Sequence, residues 1–189
     1  MERPGGPGEE AGPGHHAQEG LTLTPALVTG RLSLEPLRVD HADEMVDLLA
    51  DRALYRFYDD EASPSLDELR ERYARQSAGS SADGSETWHN WILRLLATGS
   101  VAGFVQATVV GDVVDVAWVV GTPYQGQGLA TEAALAVRDS LAPAGSGVVL
   151  QAHIAPGHAA SEAVAGRIGL ALTSDVDADG ERLWRSPAG

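Results

Sequence analysis

The chain has 189 residues and a formal net charge of −14, with 27 acidic and 13 basic residues. It contains no cysteine, which excludes disulfides, thiolate nucleophiles and cysteine metal sites. The acidic balance argues against nucleic-acid and anionic-membrane partners, because both need clustered cations, and no apolar run reaches the ~18 residues that a membrane span requires. We therefore expect a cytoplasmic protein with no nucleic-acid, membrane or metal partner.

The first 20 residues contain six glycines and three prolines without an aliphatic pattern, which predicts a disordered tail over 1–20. Residues 21–189 are long enough to form a single domain with a full core. Within it, Arg31–Arg38 is predicted as a strand, followed by a helix over Ala42–Leu49 that Asp40 would cap.

The middle of the chain changes from helical to strand patterning. Ser65 is predicted to cap a second helix, Leu66–Gln76, and a polar loop follows. Three strands then come in succession, rich in β-branched residues: Asn90–Ala97, Val101–Val110 and Val113–Val120. Gly111-Asp112 predicts a two-residue hairpin that sets Val110 against Val113 and Thr108 against Asp115.

The last third of the chain alternates helices and strands. The predicted elements are a helix over Gly128–Leu141, a strand over Val148–His153, a helix over His158–Ile168, and a hairpin of Ala171–Ser174 with Arg182–Arg185. A hairpin meander followed by a strand–helix–strand unit predicts an α+β fold with a mixed, mostly antiparallel sheet and flanking helices.

The segment Gln125-Gly126-Gln127-Gly128-Leu129-Ala130 joins a predicted buried strand to a predicted helix. A turn that enters a helix presents unpartnered N–H groups beside the positive end of the helix dipole, which favours a phosphate. Gly126 and Gly128 would let the backbone approach that phosphate. A P-loop is excluded because the chain has no lysine, and Thr131 stands where a Rossmann fingerprint needs its third glycine. A plain strand-to-helix turn is the remaining alternative.

At these residues the chain resembles the GNAT superfamily of N-acetyltransferases, and the predicted element order is similar to that family from residue 21 onward. The resemblance implies a sheet whose fourth and fifth predicted strands, Val113–Val120 and Val148–His153, splay apart. It also implies that acetyl-CoA is the cosubstrate and that its pyrophosphate lies on the turn from Gln125 to Thr131.

Within the superfamily, His153–Leu170 is similar to the ribosomal-protein N-terminal acetyltransferase branch. Ser161 matches a serine that contacts the cofactor there, although it could equally be a helix-cap hydroxyl, and His158 stands where the branch has asparagine. The resemblance further implies that pantetheine pairs with the backbone of Trp118, Val119 and Val120, with the thioester carbonyl near the Val119 N–H.

Acetyl transfer to an amine benefits from a base with a pKa near the working pH. Asp115 and His153 are the candidates, because burial would raise the carboxyl pKa and a histidine titrates in the right range. Either residue could instead be structural, and direct attack with proton loss to water stays open. In another branch a tyrosine protonates the leaving thiolate, but its position here is Ala165.

The acceptor site is expected between the first helices and the sheet. Its candidate residues are Tyr55, Phe57 and Tyr58 in the link after the first helix, and Asn90, Trp91 and Gln106 on the strands. Aromatic residues in such places also serve simply as core. For the adenosine 3′-phosphate, Arg138 and Arg167 are candidates.

These features together predict an acetyl-CoA-dependent N-acetyltransferase that transfers the acetyl group directly to a primary amine of a small molecule or a protein N-terminus. The absence of cysteine favours direct transfer over a thiol relay. The alternative is a non-catalytic acyl-CoA sensor or interaction module with the same phosphate turn. A monomer and a homodimer are both compatible with the sequence.

Overall fold

The computed structural model describes residues 24–57 and 63–187, so the tail predicted over 1–20 lies outside the described residues. The strands are β1 (Leu27–Val28), β2 (Leu32–Pro36), β3 (Thr87–Leu95), β4 (Val101–Val110), β5 (Val113–Val120), β6 (Val149–Ile154), β7 (Ala171–Val176) and β8 (Arg182–Arg185). The helices are α1 (Ala42–Leu49), α2 (Leu66–Gln76), α3 (Leu129–Leu141) and α4 (Ala159–Arg167). None of these helices is long and apolar enough to cross a membrane.

The strands form one sheet in the order β1-β2-β3-β4-β5-β6-β8-β7. Every neighbouring pair is antiparallel except β5 and β6, which run parallel because α3 carries the chain from one to the other. The predicted mixed, mostly antiparallel sheet is therefore confirmed.

The β4–β5 hairpin has the predicted register, with Val110 opposite Val113 and Thr108 opposite Asp115. The turn at Gly111-Asp112 fixes this register because a two-residue loop allows only one closing pair. Asp115 thereby takes a defined place on β5, facing the opposite side of the sheet from its neighbours Val114 and Val116, which lie in the core.

β5 and β6 form a fork. They pair only from Val113–Asp115 to Val149–Gln151. Beyond that point β6 stays paired with β8 along its other edge. Residues Val116–Val120 of β5 stay paired with β4, but their edge that faces β6 has no ladder partner among the described strands. The last paired residues, Asp115 and Gln151, therefore mark the base of the fork.

The sheet has a hydrophobic core on each of its two faces. On β3, Trp91 packs into the cluster under α3, while its neighbour Ile92 packs against Met45 of α1 and Leu69 of α2. Successive strand residues point to opposite faces, so one strand supplies both cores.

The two predicted helix starts have different outcomes. Ser65 caps α2 in a reciprocal capping box with Glu68, as predicted. Asp40 does not cap α1, and that prediction is wrong. The chain enters α1 through the 3-10 turn Val39–His41, so Asp40 already lies inside helical backbone, and its carboxylate pairs with Arg38 at 3.0 Å.

Gly103 on β4 lies directly against β5. A Cβ at this position would collide with the backbone carbonyl of Val119, so we expect Gly103→Ala to lower the free energy of unfolding by about 1–3 kcal/mol. Gly166→Ala, in open space inside α4, is the matched control and should be neutral or stabilising by up to about 1 kcal/mol. Urea unfolding of both variants tests this, and equal effects would contradict the proposed close contact.

Candidate active site

The glycine turn predicted from the sequence lies between the open end of β5 and the start of α3. Gly126 and Gly128 have φ of 73° and 77°, in the left-handed region that glycine adopts readily. Gly128 is the N-cap of α3 and provides no side-chain cap. The amides of the first helical turn, from Leu129 to Thr131, consequently lack intrahelical partners. This is the backbone arrangement that holds an anion.

Side chains fold the turn back onto the strand it follows. The Gln125 amide nitrogen donates to the Val120 carbonyl at 2.9 Å, and that of Gln127 donates to the Pro123 carbonyl at 3.4 Å. In the described part of the chain, the Thr131 hydroxyl is buried without a hydrogen-bond partner. The turn is thus fixed at the mouth of the fork.

The register of β5 decides which of its backbone groups face the fork. The Gly121 N–H donates to the Ala102 carbonyl on β4, and the Val149 N–H donates to the Asp112 carbonyl on the other edge. Because the direction of backbone groups alternates along a strand, odd-numbered residues of β5 turn theirs toward β4 and even-numbered residues turn theirs toward β6.

The N–H of Val119 therefore points at β4, contrary to the expectation that it receives the thioester carbonyl. Trp118 and Val120 present their N–H groups to the open edge instead. The Trp118 side chain packs against the core below α3 and forms one wall beside that edge.

Asp115 and His153 meet at the base of the fork. His153 Nδ1 lies 3.4 Å from Asp115 Oδ2, and the Gln151 amide donates to the same oxygen at 3.0 Å. Burial raises the pKa of Asp115, while the Gln151 hydrogen bond and the charge of His153 oppose that rise. Both base candidates are thus brought together, with a partly exposed carboxylate.

Gln151 is a site residue that the sequence analysis missed. Arg185 of β8 donates to its side-chain oxygen at 2.8 Å. A guanidinium has only donors, so it turns the amide nitrogen of Gln151 toward Asp115. The alternation of β6 could have indicated that Gln151 and His153 share a face, but its partner on β8 is 34 residues away.

The start of α4 joins two predicted site residues. His158 Nδ1 accepts a hydrogen bond from the Ser161 N–H at 3.3 Å and so caps the helix. The His158 ring also stacks on Phe57, with ring centroids 4.1 Å apart. Burial lowers the pKa of His158, which keeps the ring neutral and able to accept that bond. Phe57, predicted at the acceptor side, therefore touches the predicted cofactor side.

A pocket lies between α2 and the sheet. Three predicted acceptor residues line it, and so do three residues that the sequence analysis did not single out: Asn90, Trp91 and Gln106, and Arg72, Tyr73 and Gln76. The buried Tyr73 hydroxyl has no hydrogen-bond partner within the described ranges, and burial raises its pKa. Helical spacing alone does not distinguish such a tyrosine from plain core.

Trp91 and the remaining predicted residues have structural contacts. Trp91 is fully buried, and its indole donates to the Pro25 carbonyl at 2.6 Å. The Tyr55 hydroxyl donates to the Leu49 carbonyl at 2.9 Å. Arg138 contacts Asp139 and the Ile168 carbonyl. Tyr58 lies outside the described residues.

A family profile for the GNAT acetyltransferase domain matches residues 31–171. The chain belongs to the GNAT acetyltransferase family. The match contains β2 through the start of β7, and with them the glycine turn and the fork. The chain is thus an enzyme of the N-acetyltransferase class.

Solved structures share this fold. A GnaT-family acetyltransferase from Bordetella pertussis is 22% identical, with a TM-score of 0.68 over 86% of this chain and 99% of that one. RimL, a ribosomal α-N-protein acetyltransferase solved with coenzyme A, is 14% identical, with a TM-score of 0.68 over 84% and 95%. The microcin self-immunity acetyltransferase MccE, solved with acetyl-CoA and AMP, is 14% identical, with a TM-score of 0.69 over 88% and 98%. No curated protein matches the chain by sequence.

The His158 cap makes stability depend on pH. Because the folded-state pKa of His158 is lowered, the neutral ring stabilises the fold fully above its ordinary pKa, and this contribution is lost as pH falls through that value toward the folded one. His158→Asn keeps a capping oxygen and does not titrate, so it should show a smaller loss of stability between about pH 8 and about pH 5.

His158→Phe is the matched control, since it keeps an aromatic ring beside Phe57 but has no acceptor for the Ser161 amide. It should be less stable than the Asn variant throughout the range. Thermal unfolding at several pH values measures both, and identical pH profiles for the natural protein and His158→Asn would rule out the proposed titration.

Proposed function

We propose that this chain transfers an acetyl group from acetyl-CoA directly to a primary amine. The observation that carries the proposal is that the glycine turn, at the start of α3, lies next to the β6-facing edge of β5, which has no partner strand among residues 24–57 and 63–187. A phosphate site and an extended binding edge meet at one place, with Asp115 at the base of that edge.

The diphosphate of acetyl-CoA would lie on the turn from Gln125 to Thr131, where the helix dipole and backbone N–H groups favour negative charge. Pantetheine would then run along β5 as an added strand, pairing with the backbone of Trp118 and the N–H of Val120. His158 and Ser161, at the start of α4, would border the same path. RimL, solved with coenzyme A, and MccE, solved with acetyl-CoA and AMP, have folds similar to this one, which supports acetyl-CoA as the cosubstrate.

Asp115 is the proposed base, and His153 is its partner. The attacking amine must lose a proton as it forms the amide bond and expels the coenzyme A thiolate, which takes up a proton. A carboxylate whose pKa is raised by burial accepts that proton more readily than an ordinary one. His153 Nδ1, 3.4 Å from Oδ2 of Asp115, is the neighbouring group that orients this carboxylate.

The acceptor is a primary amine of a protein N-terminus or of a small molecule. The pocket beside Asn90 and Gln106 lies on the same face of the sheet as Asp115 and is the proposed acceptor site. The chain's net charge of −14 supports a cationic acceptor. We also propose that the protein is cytoplasmic and acts as a monomer or a homodimer.

One observation favours a second candidate, a non-catalytic acyl-CoA sensor. Ala165, at the position of the tyrosine acid known from another branch, is fully buried, so no side chain there can protonate the thiolate. Tight acetyl-CoA binding without acetylation of any tested peptide, polyamine or aminoglycoside would support the sensor.

If the glycine turn holds the diphosphate, a bulky side chain in the turn should weaken coenzyme A binding. Gly128→Trp would place a side chain at the N-cap of α3 and should lower coenzyme A affinity at least tenfold in calorimetry. Gly145→Trp is the matched control, because Gly145 has a similar φ of 79° and open space around it but lies beyond the C-terminus of α3. An unchanged dissociation constant in Gly128→Trp would argue against the phosphate site.

If Asp115 is the base, its replacement should produce a specific kinetic defect. Activity should rise with pH as Asp115 ionises, and Asp115→Asn should lower kcat by about 10²–10⁴-fold and remove that ionisation from the pH–rate profile. Asp112→Asn, in the exposed hairpin turn, should behave like the natural protein. Thiol release from acetyl-CoA with an amine panel measures this, and an unaltered profile in Asp115→Asn would exclude Asp115 as the base.

A further inference from the structure

Glu132 stands in the first turn of α3, beside the proposed diphosphate turn. A carboxylate there stabilises an empty helix start through the dipole, but it would repel a bound diphosphate. The side chain is only 19% exposed, so water does little to screen that repulsion. The surroundings of Glu132 therefore matter for whatever anion binds at the turn.

Four donors from the β1–β2 hairpin hold this carboxylate. Its Oε1 accepts from the Thr29 hydroxyl at 2.6 Å and from the Arg31 N–H at 2.8 Å. Its Oε2 accepts from Arg31 Nε at 2.6 Å and pairs with Arg31 Nη2 at 2.6 Å. Burial alone would raise the pKa of Glu132, but the donors Thr29 and Arg31 outweigh it and the pKa is lowered. Glu132 is therefore ionised and its charge is balanced by Arg31.

The same guanidinium reaches the glycine turn. Arg31 Nη1 donates to the Gln127 carbonyl at 2.8 Å, and Nη2 lies 3.7 Å from where a Cβ on Gly128 would stand. Gln127 is flanked by Gly126 and Gly128, the two residues of the turn with the most backbone freedom. Arg31 thus bonds the turn at its most deformable point and, through Glu132, ties it to the helix.

We infer that Arg31, oriented by Glu132, is a positioning residue that fixes the glycine turn in the conformation that binds the diphosphate. This rests on the proposed function. All three guanidinium nitrogens already contact Glu132 or the Gln127 carbonyl, so Arg31 acts on the diphosphate through the turn and leaves the backbone amides as the anion's donors.

Calorimetry with coenzyme A tests the inference without an acceptor amine. We expect Arg31→Met and Glu132→Gln each to weaken coenzyme A binding by about tenfold, as loss of a charged hydrogen bond would. The double variant Arg31→Met/Glu132→Gln should stay about tenfold weak instead of a hundredfold, because both residues serve one interaction. Arg31→Lys should recover part of the affinity.

The sign of the Glu132→Gln effect separates positioning from simple charge. If Glu132 acted only as a negative charge near the diphosphate, Glu132→Gln would bind coenzyme A more tightly, and the double variant would return to the natural affinity. Either result overturns the inference. Arg70→Met, which breaks an ion pair of 2.7 Å with Asp43 away from the turn, is the matched control and should bind normally.

Dephospho-coenzyme A, which keeps the diphosphate and lacks the 3′-phosphate, locates the effect. The variants should lose the same factor in affinity for it as for coenzyme A. A loss seen with coenzyme A alone would place Arg31 at the 3′-phosphate and refute the inference. Variants that fold and bind both ligands normally would also refute it, while leaving the proposed function intact. Failure of the natural protein to bind coenzyme A would instead refute the proposed function.

Discussion

The separation of β5 from β6 after a three-residue parallel ladder is the constraint on which the site depends. In a continuous sheet the backbone of Trp118 would be hydrogen-bonded to a neighbouring strand, and no edge would be open. The ladder ends at Asp115 and Gln151, so a carboxylate and its amide donor stand where the open edge begins. Gly103 of β4 allows β5 to approach closely, because any Cβ at this position would meet the Val119 carbonyl.

Electrostatics complete the site in a strongly acidic chain. A helix start attracts anions, yet here its first turn carries Glu132. Arg31 balances that charge, and the free amides of the turn keep their positive character. At the base of the fork the opposite arrangement holds, because Asp115 is buried enough for its pKa to rise and is not paired with an arginine in the described structure. One end of the fork therefore suits a diphosphate, and the other suits an amine that must lose a proton.

The two sides of the site are physically connected. Phe57, in the link after α1, stacks on His158 at the start of α4, so this link contacts the helix that borders the proposed cofactor path. The β1–β2 hairpin supports the glycine turn from the other direction through Arg31. These contacts join segments about a hundred residues apart in the chain, and the family match over residues 31–171 contains both partners of each contact.

The sequence by itself determined the features that depend on near neighbours. The register of the β4–β5 hairpin follows from a two-residue turn, the start of α2 from the Ser65 cap, and the glycine turn from two glycines ahead of a helix. Only the tertiary structure decided the rest. It placed Gln151 on Asp115 and set Arg31 behind the turn, whereas the direction of the Val119 N–H follows from the hairpin register itself. Strand pairing and side-chain bonds between distant segments fix those details, and such contacts leave no local pattern in a single chain.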